Sequence, residues 1–476
     1  MSASVRAATG SRPILRELDV PPQVLRRLAA RAPERYPVLL DSAADGPLSR
    51  ASILIAAPRA ALWLDAEGRL GAEGTTVRGT DFLTALENWW LAERTGTPAD
   101  AGASLPDFPG FSGGWAVFLS YEVAREIEPK LDLPRAKLPW QAFALRAPCA
   151  LIHERASGRV YAIAEADSAQ LLAGIEADAR QAAMQAEPGT DRLRVASVFE
   201  EEPAKYLHRV ARAKEYVRAG DIYQANLSRP WRVELAGEPD IAALYNRLCR
   251  ANPAPFAALA QWRGAAILSS SPERLLRVQG RHVDTRPIAG TRPRSLRPGG
   301  DLAEMKELAA HPKERAEHIM LIDLERNDLG RVCRAGTVRV DELMTIESYA
   351  HVHHIVSNVT GELRADVTPI GALRAVFPGG TITGCPKFRC MQIIAELEGL
   401  GRGAYTGSLG FLGRDGTMDM NILIRTMTVM GSSVELRAGG GIVADSDPQR
   451  ELEETRAKAR GMLAAFDISQ ATGAVA

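Results

Sequence analysis

Between residues 36 and 165 the chain is a succession of short strand-like runs, PVLLDSA, SILIAA, AALWLD, GGWAVFLSYE, ALIHE and RVYAIAE, parted by turns. Further on, IYQANLSRPWRVEL, AILSSSPERLLRV and RHVDTRPI have the same character and are mixed with helical stretches. Strands that do not alternate regularly with helices exclude a doubly wound parallel sheet. The pattern predicts an α+β fold of antiparallel sheets. At 476 residues the chain is too long for one small core, so two units or one large composite are expected. The divisions read from the sequence are an amino-terminal region over 1–165, a linker over 166–198 that is helical and rich in Ala, Gln and Glu, a catalytic domain over 199–466, and disordered ends, among them 467–476. The second half opens on a helix in which Tyr206, Val210, Ala213 and Val217 recur at helical spacing, with Gly220 at its end.

Lys plus Arg and Asp plus Glu both number 58, a balance that argues against nucleic acid or a membrane surface as partner. The five cysteines, Cys149, Cys249, Cys333, Cys385 and Cys390, form no CxxC pair and read as reduced thiols. The amino terminus lacks the apolar stretch of a signal peptide, and ASILIAAPRAALWL is broken by Pro58 and Arg59. A soluble cytoplasmic protein is expected.

Two acidic helices carry the strongest chemical signal. Glu314 and Glu317 in HPKERAEHIMLIDLERNDLG are three apart, as are Glu451 and Glu454 in PQRELEETRAKARGML. Facing one cleft, the pairs would offer oxygen ligands to one octahedral Mg²⁺; taken singly, each reads equally as a solvated face. FPGGTITGCPK has Cys385 where a phosphate loop needs lysine, so a turn whose N–H groups and Thr381 meet an anionic or hydroxylated ligand is the expectation. Gly439, Gly440 and Gly441 allow backbone to approach a carboxylate closely, or form a β-bulge. Of His351, His353 and His354, alternation lets one histidine turn into a cleft, to donate a hydrogen bond or a proton. Arg425, in the apolar run NILIRTM, needs an anion, whether a substrate carboxylate or an internal Asp or Glu. Glu273, after a proline at a strand end, reads as a general acid or as a carboxylate serving a helix dipole. In DTRPIAGTRPR three arginines frame an inert centre, Ala289, and suggest an anion nearby. Together these features suit elimination or substitution on a small dicarboxylate.

The motifs GDIYQANLSR, SPERLL, TRPIAGTRPR, KERAEHIMLIDLERNDLGRV, HVHHIVSNVTGEL, FPGGTITGCPKFRCMQIIAELE, YTGSLGFL, MNILIRT, GGGIVADSDP and ELEETRAKA resemble, in order, those of the chorismate-utilising enzymes. The resemblance spans residues 200–465. It implies packed antiparallel sheets with helices outside, as in anthranilate synthase large subunits, and chorismate as substrate. By position it implies Mg²⁺ ligation by Glu314, Glu317, Glu451 and Glu454, direct or through water. It implies a carboxylate-binding wall of Arg425, Tyr405 and Gly439–Gly441, with Glu273 as the acid for the departing C4 hydroxyl, and His354 and Thr381 lining the ring. Isochorismate and salicylate synthases place a water-activating lysine where this chain has Gln224, so ammonia is the implied nucleophile.

Within the family two branches remain. YQANLSR and SPERLL, with VLLDSAADGPLSRASIL and GGWAVFLSYEVAR, look more like aminodeoxychorismate synthase component I, and NPAPFAALAQW has Phe256 and Ala257 where anthranilate synthases typically carry Pro-x-Tyr-Met. The segment Ala289, Gly290 and Thr291 belongs to PIAGT, as in anthranilate synthases; the other branch often reads PIKGT, its lysine attacking C2. The expectation is the aminodeoxychorismate branch in a lysine-less form. The resemblance further implies a separate glutamine amidotransferase subunit as ammonia source and a separate aminodeoxychorismate lyase downstream. A further candidate is an amino-acid pocket around Ser42, Arg50 and Phe256, in which Leu48 and Ala51 stand where aromatic contacts would be expected. A degenerate, non-catalytic chorismate binder is the alternative outside enzymology.

Overall fold

The computed structural model describes residues 12–44, 46, 48–95, 110–185, 193–294, 301, 305, 307, 312–348 and 352–466, with backbone alone for 291–293, 312–314 and 352. Two antiparallel sheets dominate it. The first runs Ile14–Leu18, Val160–Ala164, Cys149–Glu154, Ala51–Ala56, Val38–Asp41, Phe256–Trp262, Ala265–Ser271, Thr426–Met430, Ser433–Ile442, Gln224–Leu235 and Val195–Glu200. The second runs Ile288–Pro293, Val352–Glu362, His282–Arg286, Arg274–Gln279, Met418–Asn421, Ser408–Gly413, Gly114–Leu119, Trp140–Ala147, Ala60–Asp65 and Leu70–Glu73. Arg339–Ser348 also pairs with Val352–Glu362. Antiparallel sheets with helices over them are the α+β fold that the strand pattern predicts.

Alternation along the strands builds the layers. Ile53 and Ile55 point into the space between the sheets, where they meet Phe118, Phe143 and Ile267. Leu54 and Ala56 point outward, under helices Val24–Arg31 and Leu171–Ala183. The outer face of the second sheet is covered by helices Phe82–Glu93 and Pro369–Val376, through residues such as Phe82, Leu86, Ile370 and Leu373. Helix Pro203–Arg218 starts on proline, and Gly220 just beyond its end takes φ +80°, the left-handed conformation that glycine tolerates.

Both sheets draw strands from either side of residue 166. Val38–Asp41 pairs with Phe256–Trp262 in the first, and Gly114–Leu119 with Ser408–Gly413 in the second. The 166–198 span holds helix Leu171–Ala183 and the start of edge strand Val195–Glu200. Among the described residues no helix is long and apolar enough to cross a membrane. All five cysteines are free thiols. Residues 467–476, expected to be disordered, lie outside the described residues.

Candidate active site

Among the places where the chain crosses from one sheet to the other, two neighbouring ones define the site. Strand Ala265–Ser271 of the first sheet leads through Pro272 and Glu273 into Arg274–Gln279 of the second. Met418–Asn421 of the second sheet leads back through residues 422–425 into Thr426–Met430 of the first. The crossings are stitched together: Ile422 N donates to Glu273 O at 3.0 Å, and Ser270 N donates to Arg425 O at 3.1 Å. They bring the Glu273 carboxyl beside the Arg425 guanidinium. Arg425 therefore lies between strands, with φ +52°, and not inside the strand its apolar neighbours suggest.

Glu273 is 3% exposed. Burial pushes its carboxyl up to about 8 and the charge of Glu325 acts in the same direction, against the Thr381 hydroxyl, the Ile288 N–H and Arg425. Glu273 Oε1 and Thr381 Oγ1 each lack a hydrogen-bond partner of good geometry among the described residues. Burial lowers Arg425 to about 10, with Glu273 as the charge that steadies it, and its guanidinium makes no ion pair with a described residue. A buried guanidinium without a fixed partner, next to a protonated acid with an open oxygen, is built for an anionic ligand that carries a basic leaving group.

The PIAGT segment works through its backbone. Ile288 N–H meets the Glu273 carboxyl and the Gly290 carbonyl accepts from His354. Ala289 between them pairs with Ile355. A register shift separates Ala289 from Thr291, and Gly290 takes φ +64° there, a bulge that favours glycine. Two of the three arginines of this stretch are held by internal carboxylates, and the Arg292 side chain lies outside the described residues. Arg286 binds Glu342 and Glu347, each at 2.6 Å, and Arg294 binds Asp301 at 2.7 Å. His353 and His354 point to opposite faces of their strand. His353 is tied to Ser348 and Asp301, and burial with the charge of Arg425 drops His354 to about 3, so it stays neutral and serves as a hydrogen-bonding group. His351 lies outside the described residues.

Strand Gln224–Leu235 forms another wall with Ser433–Ile442. Gly439, Gly440 and Gly441 face Ser228, Leu227 and Asn226 in unbroken register, so they form no bulge. Each missing side chain has a use. A Cβ at Gly439 would stand 2.4 Å from Leu227 O, and one at Gly441 would stand 2.5 Å from Gln224 Nε2. A Cβ at Gly440 would stand 3.3 Å from Glu451 Oε2 and 3.6 Å from Glu454 Oε1. Gln224 is buried at the strand's start. Tyr405 is buried nearby, its ring 5.6 Å from the Arg402 guanidinium, and burial lifts its hydroxyl to about 12.

Glu451 and Glu454, from helix Pro448–Leu463, thus converge over bare backbone, with Lys458 Nζ 2.8 Å from Glu454 Oε1. Glu317 is half-buried on helix Pro312–Gly330, and the Glu314 side chain is outside the described set. Among the described residues no three His, Cys, Asp or Glu side chains come together as a metal site, so the structure brings Glu451 and Glu454 to one place without completing the expected set of four. The buried Tyr206 hydroxyl, close enough to Glu451 and Glu454 to feel their charge, has no hydrogen-bond partner among the described residues.

Other buried polar residues are not apparent from the motifs. Glu398 accepts from Arg402 and Arg437, each at 2.7 Å, and from Ser228 N at 2.8 Å, beneath the glycine strand. Glu325 and Asp328 lie behind Glu273, Asp328 paired with Lys387. The Gly380 N–H meets Glu325, so that donor of the 377–387 turn serves an internal carboxylate. The remaining surface candidate is weaker. Ser42 is buried and its hydroxyl is taken by the carbonyls of Ala51 and Pro255, whereas Arg50 is exposed.

Comparison with known proteins agrees with this geometry. The family model described as chorismate binding enzyme matches residues 21–464. Anthranilate synthase component 1 of Streptomyces coelicolor is 42% identical over 420 residues, covering 83% of this chain and 79% of its own. Aminodeoxychorismate synthase component 1 of Bacillus subtilis is 38% identical over 402 residues, covering 82% and 83%. The crystal structure of anthranilate synthase component I from Streptococcus pneumoniae superposes with a TM-score of 0.75 at 29% identity, covering 88% of this chain and 93% of that one. The chain belongs to the chorismate binding enzyme family.

Proposed function

We propose that the chain aminates chorismate at C4, as an aminodeoxychorismate synthase component I, with ammonia supplied by a separate glutamine amidotransferase subunit. The observation that carries amination is Gln224. Where the water-activating members of the family are expected to hold a lysine, a neutral amide packs over Gly441. It has no basic nitrogen to take a proton from water, so the nucleophile is one that needs no such base.

Arg425 and, beside the glycine strand, Tyr405 bind the carboxyl groups of chorismate. Glu273, protonated at neutral pH, gives its proton to the C4 hydroxyl, which departs as water. His354 and Thr381 orient the ring by hydrogen bonds. Ala289 offers no amine, so a small nucleophile that needs no base, ammonia itself, makes the first displacement at C2. A second ammonia then enters at C4 and expels it, and the proton lost by the new ammonium restores Glu273. Mg²⁺, held by Glu451 and Glu454 with Glu314 and Glu317 as further ligands, would bind a substrate carboxylate and fix the ring.

The C4 end point is supported by the 253–257 segment. Phe256 packs under Arg274 at 4.8 Å and gives its carbonyl to Asn421 Nδ2 at 3.0 Å, where the other branch carries its Pro-x-Tyr-Met segment. A second reading, anthranilate synthase component I, is favoured by Ala289 and by the Streptomyces relative. Product identity separates them. The purified chain with chorismate, Mg²⁺ and ammonium should yield a compound that added aminodeoxychorismate lyase converts to p-aminobenzoate, and no protein adduct by mass spectrometry. Fluorescent anthranilate plus pyruvate would replace the first reading by the second.

A further inference from the structure

Behind Glu273 lies a second acid that none of the motif roles uses. Glu325, on helix Pro312–Gly330, is 2% exposed. Its Oε2 accepts from Thr285 Oγ1 at 3.1 Å, and the Gly380 N–H also reaches its carboxylate. Glu273 is held by Ile288 N–H and lies against the Thr381 hydroxyl. The two acids are therefore gripped by the same two segments, 285–288 and 380–381, one residue of each segment serving each acid. A side chain at 380 would break this arrangement, since its Cβ would lie 2.5 Å from Leu324 Cδ2 and 3.1 Å from Glu325 Oε1.

We propose that Glu325 is a positioning residue for the reaction: locked between Thr285 and Gly380, its carboxylate places negative charge behind Glu273 and keeps that acid protonated for the departing hydroxyl. The inference rests on the proposed role of Glu273 as the acid. The charges facing Glu273 are Glu325 from the helix and Arg425 from the second crossing, with Thr381 and the Ile288 N–H as dipoles. Those facing Glu325 are Asp328 on its own helix and Lys387 from helix Lys387–Glu398, with Thr285 and the Gly380 N–H. Lys387 is occupied by Asp328 and by Val376 O at 3.0 Å, so the pair closes the rear of the cluster. Burial and then the charge of Asp328 raise Glu325, while Lys387, the Thr285 hydroxyl and the Gly380 N–H hold its charged form, and that charge resists ionisation of Glu273.

The test is the pH profile of kcat/KM for chorismate, with free NH3 held constant and turnover followed as chorismate consumed. Activity requires protonated Glu273 and is lost on the alkaline side. Glu325→Gln removes the neighbouring charge while keeping an oxygen for Thr285. Its alkaline limb should move down by about one pH unit, which reads as a loss of about tenfold at the alkaline end and little loss below neutrality. Glu325→Asp keeps the charge, so its limb should stay within about 0.3 unit of the wild type whatever its rate. If Glu325→Gln does not fold, Thr285→Val unfastens the same carboxylate at constant shape and should shift the limb in the same direction by less. A uniform fall with the limb unmoved would make Glu325 a buttress only and overturn the proposal. Anthranilate as product would sink the C4 assignment but not this comparison, because both routes expel the C4 hydroxyl. A wild type that consumes no chorismate at any pH would overturn both.

Discussion

At the scale of single residues, Glu273 combines two demands that oppose each other. Its burial withholds water from a charge and so keeps the proton available, and the same burial makes ionisation costly to the fold. The folded acid titrates near 8, against an ordinary value of 4.5. Its contribution to stability is therefore fully present below about pH 4.5 and is lost as pH rises through 8. Glu273→Gln removes that penalty together with the proton. Turnover should fall by about 10²–10⁴-fold, the usual worth of a general acid. Chorismate affinity, read by fluorescence titration, should stay within about threefold, because the amide replaces a neutral carboxyl. Melting temperatures at pH 5 and pH 8.5 should show the variant gaining on the wild type at the higher pH, a difference on the order of a few kcal/mol. Persistent turnover would mean that another group is the acid. Arg425 stood out in the sequence because a guanidinium in an apolar run is costly to bury without purpose, and Glu273 because it follows a proline at a strand end. Glu325 was not, since an acid three residues from Asp328 on a helix reads as a solvated face until the helix is known to pack against the crossing.

At the scale of elements, the glycine strand shows how far spacing alone can go. Three consecutive glycines allow either a bulge or close approach, and the choice belongs to the partner strand, which is distant in sequence. Unbroken pairing with Gln224–Leu235 settles it, and the three positions then differ by what each faces. Gly439→Ala pushes a methyl at a backbone carbonyl, which cannot yield, and should cost about 1–3 kcal/mol of stability in denaturant unfolding. Gly440→Ala meets only the Glu451 and Glu454 carboxylates at ordinary or slightly tight distance. It should leave the unfolding midpoint nearly unchanged while weakening Mg²⁺-dependent chorismate binding by about tenfold or more, from displacement of ligands. Equal loss of stability in both variants would contradict the different faces assigned to them. Helix Lys387–Glu398 and the segment after it teach the same lesson from the other side. Glu398 and Arg402 are four apart and read as an exposed helix pair, yet both are buried and joined by Arg437 from the glycine strand.

At the scale of the whole molecule, the strand pattern foretold antiparallel sheets but not that both would be shared by the two halves of the chain, because partner choice between distant strands leaves no local trace. The sharing has an energetic consequence. Without residues 1–165, Phe256–Trp262 would lose Val38–Asp41 and become an open edge, and Ser408–Gly413 would lose Gly114–Leu119. The apolar layer between the sheets would lose Ile53, Ile55, Phe118 and Phe143 and expose Ile267 and Leu409. Two bare edges beside a bare apolar face form a template for aggregation. The site would suffer with it, since Glu122 from the first half accepts from Arg402 N at 2.7 Å and from Gly403 N at 3.2 Å, just before Tyr405. A fragment of residues 199–466 should therefore be insoluble, or soluble without a cooperative unfolding transition, although it holds every residue assigned to the chemistry. Co-expression with residues 1–198 should restore a soluble, chorismate-consuming complex in proportion to the fragment recovered. A 199–466 fragment that unfolds cooperatively and consumes chorismate by itself would mean that the shared sheets are an association of two independent units, not one fold.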